Sequence, residues 1–310
     1  MSARAIRYCE AFLRDGLQGW PDQVSTGDKL RMIAAIDAAG VPEIDLTAFV
    51  SRRLVPQFAD ADIVLAAEGD FLRRVLAVTP DGAERAVSAR QSVGRIDRCG
   101  IPFSVSEAHN IANIRRTHAE HREAVARMMD ILVAGGIAPL FGAVTAWGCP
   151  FRGLLPAEEA MAIAAWGVER GARVVMFGDT TGMANPASVR RLFTMARAEW
   201  PNVELIAHFH DNRGLGIANS LAAIESGADT VDGCLGGVGG EPRKVELGLS
   251  GDQGNTVSED LVATLAAMGI ETGINPARLC DAGKLAEDIL GRPLYSRVLR
   301  AGLASDVGEA

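Results

Sequence analysis

The sequence predicts an α/β fold, a (β/α)8 barrel with a short helical C-terminal extension. Three observations lead to this prediction. Apolar segments of strand length alternate with amphipathic helical segments along most of the chain, eight such apolar segments are present, and a glycine and a short turn often separate a helix from the next strand. Strands connected through helices run parallel, and eight such units favour a closed barrel over an open sheet.

The elements follow one another in regular order. The predicted strands are residues 7–12, 43–49, 73–79, 101–106, 138–146, 173–178, 203–209 and 230–235. The clearest helical segments are residues 25–39, 107–132, 157–170, 186–200 and 214–226. No linker rich in Ser, Pro or charge interrupts them, so we predict one barrel domain over residues 1–275 and a helical extension over residues 276–310.

Composition excludes several classes of protein. Hydrophobic residues make up 48% of the 310 residues, which is enough for a large core, and the net charge of −8 argues against a nucleic-acid partner. Five widely spaced cysteines without a CxxC pair indicate reduced thiols and a cytoplasmic location. The N-terminal residues lack the apolar segment of a signal peptide.

One segment has the length and polarity of a membrane span. Residues 131–151 contain a single polar side chain, Thr145. Glycine and proline interrupt the segment near both of its ends, at positions 135, 136, 139, 148 and 150. We therefore predict a helix end, a turn and a strand buried on both faces, and no membrane partner.

Two histidines at the end of the seventh predicted strand indicate a metal site. His208 and His210 are two residues apart, so their side chains point to the same face of the strand. Paired imidazoles where a buried strand meets a loop can form half of a divalent-metal site. The alternative interpretation is a pair of hydrogen-bonded histidines in the core or at its rim.

Polar residues stand at the ends of other predicted strands, where the active sites of such barrels lie. Arg14 and Asp15 follow the first strand, Asp45 lies in the second, and Asp179 ends the sixth. The eighth strand leads into a glycine-rich loop over residues 236–240. Each feature also has a structural interpretation: an ion pair, a buried hydrogen-bond acceptor, a helix cap or a simple turn. Their common placement favours a Mg²⁺ or Mn²⁺ site with positions open for substrate.

Several motifs together resemble the hydroxymethylglutaryl-CoA lyase family of metal-dependent barrels, which is related to isopropylmalate synthase and pyruvate carboxyltransferase. The resemblance covers about residues 6–270. The matching motifs are Arg-Asp-Gly-Leu-Gln at 14–18, Asp-Leu-Thr-Ala-Phe-Val-Ser at 45–51, Ser-Val-Ser-Glu at 104–107, Gly-Cys-Pro-Phe at 148–151, Gly-Asp-Thr-Thr-Gly at 178–182, His-Phe-His-Asp at 208–211 and Gly-Asn at 254–255.

The resemblance implies a role for each site residue. It implies that a divalent cation, Mg²⁺ or Mn²⁺, is bound by four residues: Asp15, His208, His210 and Asn255. It implies that Arg14 faces the thioester carbonyl and that Asp15 can also act as a base. Gln18, Asp45 and Asp179 are expected to contact the substrate or to orient the metal ligands.

The family also implies the reaction and its setting. The expected activity is retro-Claisen cleavage of a 3-hydroxy-3-methylglutaryl-CoA-like thioester to acetyl-CoA and a keto acid. A small acyl-CoA or oxo-acid partner, a homodimer and a role in leucine catabolism are expected with it.

The chain departs from the family in its pocket and in one loop. Glu241-Pro242 stands where the lyases present a catalytic Cys followed by Pro, and the loop from there to Asn255 is longer. Met176 and Ala48 replace small polar residues. Glu241 is a candidate general acid, because burial can raise the pKa of a carboxyl group, and the alternative is that it points to water.

Three functions remain open from the sequence. The first is the thioester lyase, and the second is an aldolase or acyl transferase that acts on an oxo acid at the same metal. The third is a binding protein that has kept the metal and lost catalysis. Retention of Arg14 argues against the third, because a site that only binds metal would not need it.

Overall fold

The computed structural model describes residues 5–240 and 254–306, and these form the predicted barrel. Eight parallel strands close on themselves: β1 (Arg7–Glu10), β2 (Glu43–Phe49), β3 (Leu72–Ala77), β4 (Arg98–Ser104), β5 (Ala138–Val144), β8 (Val174–Asp179), β9 (Glu204–Phe209) and β10 (Thr230–Gly233). The prediction of an α/β (β/α)8 barrel, the TIM-barrel fold, is confirmed.

The helices pack outside the strands. They are α1 (Thr26–Ala38), α2 (Ala61–Leu65), α3 (Pro80–Val93), α4 (Glu107–Ile114), α5 (His118–Ala134), α6 (Ala157–Glu169), α7 (Pro186–Glu199), α8 (Gly216–Glu225), α9 (Ser258–Ala267), α10 (Pro276–Leu290) and α11 (Val298–Ala301). Apolar side chains between these helices and the strands form one continuous core. Because all eight barrel strands are parallel, their carboxyl ends meet at one mouth, where the candidate site lies.

One predicted helix is wrong in its extent. The sequence predicts a single helix over residues 107–132, whereas α4 ends at Ile114 and α5 begins at His118. Arg115 adopts a left-handed conformation (φ 57°), which ends α4. Thr117 then caps α5, and its hydroxyl and the Glu120 carboxylate satisfy each other's backbone N–H groups.

A short antiparallel hairpin, β6 (Gly148–Cys149) and β7 (Gly153–Leu154), stands between β5 and α6. It accounts for the late interruption of the apolar segment 131–151. That segment is the end of α5, a turn, β5 and this hairpin. Among the described residues, no helix is both long and apolar enough to cross a membrane.

The C-terminal helices follow the barrel as predicted. Helix α10 packs against α1 and α9, and its Leu279, Ala282 and Ala286 belong to the barrel core. The proposed boundary between residues 275 and 276 stays a prediction.

Candidate metal centre and substrate cavity

A single π-helical turn brings Arg14 and Asp15 to the barrel mouth. This turn, Phe12–Gly16, follows β1, and the Gly16 N–H donates to the carbonyl of Ala11 five residues earlier at 3.1 Å. Isolated π turns are rare and often occur at functional sites. A Cβ at Gly16 would lie 2.8 Å from Sγ of Cys234, so only glycine lets the turn approach the strand behind it.

The end of β9 aims two imidazole nitrogens at one point. His210 Nδ1 donates to the carbonyl of Thr180 at 2.8 Å, and His208 Nδ1 donates to Asp232 Oδ2 at 3.1 Å. A carbonyl oxygen can only accept, so the Nδ1 atom of His210 carries a proton. In the neutral rings both Nε2 atoms then present lone pairs, and these atoms are 3.2 Å apart. Two facing lone pairs repel each other unless a cation lies between them.

Asp15 completes a cluster of three ligand atoms. Its Oδ2 lies 3.5 Å from His210 Nε2 and 3.9 Å from His208 Nε2. In octahedral coordination with bonds of about 2.1 Å, adjacent ligand atoms are about 3.0 Å apart. The three side chains are buried and form a possible metal site. The cluster therefore fits a hard or borderline divalent cation if Asp15 Oδ2 moves closer to His208 Nε2.

Asn255 lies beside this cluster. Its Nδ2 donates to Asp15 Oδ2 at 2.6 Å and to the carbonyl of Val238 at 2.9 Å. A half-turn of the amide would exchange its nitrogen and oxygen and turn Oδ1 toward Asp15. Gly239 makes this placement possible: its φ is 100°, and a Cβ there would lie 2.6 Å from Nδ2 of Asn255.

The charges of the cluster stabilise one another. Burial raises the pKa of Asp15, but the Arg14 guanidinium and the two imidazoles outweigh burial and hold this pKa well below its usual range. Burial lowers the pKa of His210, but the hydrogen bond and charge of Asp15 outweigh it and raise that pKa. Asp15 is thus an ionised carboxylate at neutral pH, as a metal ligand must be.

Arg14 is fixed between two carboxylates. Its Nε donates to Asp45 Oδ2 and its Nη1 donates to Asp15 Oδ1, each at 2.7 Å. The guanidinium is 8% exposed and lines the cavity at the mouth. Asp45 Oδ1 is buried without a hydrogen-bond partner among the described residues. Arg14 is therefore a fixed cation directly beside the metal cluster.

The remaining predicted site residues are Gln18, Asp179 and Glu241, and each lies in a different environment or outside the described residues. Gln18 lines the cavity. The Asp179 carboxylate accepts from the N–H groups of Met183 and Ala184 at 2.8 and 3.0 Å, and burial raises its pKa to about 6. Asp179 therefore stabilises the loop after β8, which contains the Thr180 carbonyl. It is not the cap of α7, because Asn185 takes that role. Glu241 lies outside the described residues.

Sequence reasoning missed the ionic group beneath the cluster. Arg74 donates to Glu43 Oε1 and to Asp232 Oδ2, each at 2.7 Å, and all three side chains are buried. Burial raises the pKa of Asp232, but Arg74 and His208 outweigh it and lower this pKa. An ionised Asp232 fixes the ring and tautomer of His208. A carboxylate inside the apolar eighth strand was the signal available in the sequence.

A cavity of about 420 Å³ opens in front of these groups. Arg14, Asp15, His208 and His210 line one side of it. The opposite side is formed mainly by apolar residues of β3, β4, β5 and β8. The site thus combines a cation-binding cluster, a fixed guanidinium and an enclosed space for a small organic substrate.

Comparison with known proteins identifies the family of this chain. The model of the HMGL-like family matches residues 5–286. The hydroxymethylglutaryl-CoA lyase YngG of Bacillus subtilis is 31% identical over 93% of this chain and 94% of its own length. The (R)-citramalyl-CoA lyase of Chloroflexus aurantiacus is 33% identical over 96% of this chain and 95% of its own length.

The fold of solved lyases is similar over the whole chain. The structure of an HMG-CoA lyase from Acenitobacter baumannii in complex with coenzyme A and 3-methylmalate superposes with a TM-score of 0.89 at 30% identity, covering 100% of this chain and 99% of that one. The HMG-CoA lyase of Pseudomonas aeruginosa gives a TM-score of 0.88 at 28% identity and covers 98% of this chain.

Proposed function

Because this chain belongs to the HMGL-like family and is an enzyme, we propose that it is a divalent-metal-dependent carbon–carbon lyase. Its substrate is a 3-hydroxyacyl-CoA thioester of the 3-hydroxy-3-methylglutaryl type. The observation that carries the proposal is the position of Arg14, which is fixed 2.7 Å from Asp15 at the edge of the Asp15–His208–His210 cluster. A site that only bound metal would gain nothing from a buried guanidinium there.

The residues that would hold the cation are Asp15, His208 and His210, with Asn255 through its amide oxygen. Either Mg²⁺ or Mn²⁺ suits this mixture of carboxylate, imidazole and amide ligands. Bound there, the cation would polarise the substrate oxygens and make the 3-hydroxyl group more acidic.

Asp15 is the proposed base of the first step. Its low pKa keeps it ionised, so its carboxylate can accept the proton of the substrate's 3-hydroxyl group. The C2–C3 bond then breaks. Its electron pair passes to the thioester, giving a keto acid and a thioester enolate, with no net oxidation or reduction.

Arg14 stabilises the enolate. Its guanidinium is already oriented by Asp45 and Asp15, so its N–H groups need no rearrangement when negative charge develops on the thioester oxygen. Asp45 is therefore a positioning residue for Arg14. Gln18, which lines the same cavity, is proposed to contact the substrate. Asp179 is proposed to act through the loop that it holds behind His210.

Glu241 is the proposed acid that protonates C2 of the enolate. The support is its place in the chain, directly after Gly240, which lines the cavity. The Glu241→Gln variant should form product more slowly while its Mn²⁺ affinity is unchanged. Equal kcat in this variant and the wild type would remove Glu241 from the mechanism.

The proposed setting is a cytoplasmic homodimer that acts in leucine catabolism. The support for the location is chemical: Cys9, Cys99, Cys149, Cys234 and Cys280 are all unpaired. The dimer and the pathway rest on the family resemblance.

The test of the function is a cleavage assay with Mn²⁺ and 3-hydroxy-3-methylglutaryl-CoA. We expect acetyl-CoA and free acetoacetate in equal amounts. Arg14→Lys should lower kcat by about 10²–10³-fold, the usual cost of removing one oxyanion donor, and should still bind Mn²⁺. Arg127→Lys, on an exposed face of α5, is the matched control. Turnover of 4-hydroxy-4-methyl-2-oxoglutarate, with no cleavage of any thioester, would contradict the lyase and favour an aldolase.

A further inference from the structure

The cavity at the barrel mouth has two chemically different halves. Its ionic half is formed by the metal cluster and Arg14, from the elements after β1 and from β9. Its apolar half is formed by Leu76 of β3, Pro102 of β4, Val144 of β5 and Met176 of β8. Leu76, Pro102 and Val144 are incompletely buried although they lie within barrel strands, because they face this space.

Two glycines keep the apolar half open. Gly100 and Gly142 line the cavity, and neither has a positive φ. A Cβ at Gly142 would find its nearest neighbour at 3.6 Å, and one at Gly100 at 3.5 Å, which are ordinary van der Waals distances. Neither position therefore requires glycine for backbone reasons, in contrast to Gly239. What the two glycines provide is volume that almost any other residue would fill.

The apolar half of the cavity contains few hydrogen-bond partners for a polar group of the substrate. Arg74 lines the cavity, and its Nε and Nη1 are paired with Glu43 and Asp232, while its Nη2 is buried without a hydrogen-bond partner among the described residues. A carboxylate placed there would meet two buried carboxylates that already share this guanidinium. A hydrocarbon group, by contrast, would replace water against Leu76, Val144 and Met176 and would gain binding free energy from burial.

The tetrahedral carbon of the proposed substrate fits these two halves. C3 carries four bonds: to the hydroxyl oxygen, to the carboxylate arm, to C2 of the thioester and to one alkyl branch. The first three lead to polar atoms that belong with the cation site and Arg14. The fourth bond then points away from them, toward the apolar half.

We propose that the substrate carries on C3 an alkyl branch of two or more carbons, which binds against Leu76, Pro102, Val144 and Met176. This proposal rests on the lyase function above and specifies its substrate class. Gly142 is the specificity-determining position, because its missing side chain leaves the space between Pro102 and Met176 that the branch fills.

The test is a series of 3-hydroxy-3-alkylglutaryl-CoA thioesters with methyl, ethyl, propyl and isobutyl branches, assayed with Mn²⁺ for acetyl-CoA release. We expect kcat/KM to rise by about fourfold for each added methylene until the cavity is full. Gly142→Leu should reverse this order and make the methyl compound the best substrate. Gly142→Ala, whose Cβ fits without strain, should reduce the preference to an intermediate degree.

The controls separate specificity from folding and from the function itself. Gly27→Leu, on the exposed start of α1, should leave the whole series unchanged. Mn²⁺ affinity and circular dichroism should match the wild type in every variant. A methyl compound that is the best substrate of the wild type, with the same order in Gly142→Leu, would overturn this inference alone. Absence of cleavage across the entire series would overturn it together with the lyase function.

Discussion

At the scale of single residues, Asp232 decides how His208 faces the cluster. It accepts from His208 Nδ1, which leaves the Nε2 lone pair for a cation, and it is held in turn by Arg74. Asp232→Asn preserves the volume and removes the charge that fixes this tautomer. We expect Mn²⁺ affinity to fall by about 10–100-fold, as measured by titration.

A control for this substitution is available on the surface. Asp81→Asn removes an exposed carboxylate at the start of α3, far from the cluster. Its Mn²⁺ affinity should equal that of the wild type. If Asp232→Asn also bound Mn²⁺ with wild-type affinity, the tautomer argument would be wrong.

The sequence indicated most of the cluster, because its residues stand at strand ends whose order along the chain can be counted. It did not indicate the pairing of Asp232 with Arg74, because a charged residue inside a buried strand does not show which partner it has, and these two residues lie on strands that are not neighbours in the barrel. Pairing between β1 and β10, for example, joins residues more than two hundred positions apart. Such contacts become visible only when the barrel is closed.

At the scale of elements, the break between α4 and α5 depends on Thr117. Its hydroxyl accepts from the Glu120 N–H, and the Glu120 carboxylate accepts from the Thr117 N–H. Thr117→Ala should lower the free energy of unfolding by about 1 kcal/mol, measured by urea denaturation. Thr117→Ser keeps the capping oxygen and should stay close to the wild type. A wild-type value for Thr117→Ala would contradict the capping argument.

The same break shows why the sequence predicted one helix instead of two. Neither Gly nor Pro marks the junction within residues 107–132, so the sequence showed no sign of a break there. Arg115 takes the left-handed conformation that a glycine usually occupies, and the capping box that follows is a polar signal within a polar stretch. The hydrogen bonds between Thr117 and Glu120 therefore set the start of α5.

The start of α9 carries a pH-dependent contact. Glu259 accepts from the Gly236 N–H, and burial raises its pKa to about 8. Burial likewise raises the pKa of Glu10, which holds the neighbouring Leu235 N–H, to about 7. Between about pH 4.5 and 8 the folded state keeps a proton on Glu259 that the unfolded chain releases. Folding stability must therefore decrease as the pH rises through this window.

This dependence can be removed by mutation. Each pKa unit corresponds to about 1.4 kcal/mol, so Glu259→Gln should lose a slope that amounts to a few kcal/mol between pH 5 and 8. Urea denaturation at several pH values measures it, with the exposed Glu169→Gln as the control. Identical slopes in Glu259→Gln and the wild type would show that Glu259 does not hold its proton in the folded state.

At the scale of the whole molecule, buried and partly buried ion pairs link strands across the barrel. Arg74 of β3 connects Glu43 of β2 with Asp232 of β10, and Arg98 of β4 reaches Glu204 of β9 at 2.7 Å. Barrel interiors are usually filled by branched apolar side chains. Here charged side chains fill part of that space. Asp232, which orients His208, is itself held by Arg74 from another strand, so the position of His208 depends on a closed barrel.

Removal of one charged residue from these interior ion pairs should lower the stability of the folded protein. Arg74→Ala removes the guanidinium that two buried carboxylates share and should lower the free energy of unfolding by about 3–5 kcal/mol. Arg127→Ala breaks an exposed ion pair with Glu84 and should cost less than about 1 kcal/mol. Comparable losses in the two variants, by urea denaturation, would refute a structural role for the interior network.

The whole-molecule architecture was the most predictable level. Eight strand–helix units and the absence of a linker leave few alternatives to a closed barrel, and the resemblance of the site motifs agrees with it. The pocket was less predictable, since its volume depends on what is missing at Gly100 and Gly142. A glycine in a strand pattern has many explanations, and only the distances around it distinguish them.

The most direct test of the metal centre is Mn²⁺ binding, followed by electron paramagnetic resonance, in four folded proteins: the wild type, Asp15→Ala, His208→Ala and His118→Ala. His118 hydrogen-bonds the Ser104 carbonyl and lies outside the cluster, so it serves as the matched imidazole control. We expect one Mn²⁺ per chain in the wild type and in His118→Ala, and loss of binding in Asp15→Ala and His208→Ala. Equal Mn²⁺ affinity in all four proteins would contradict this metal centre.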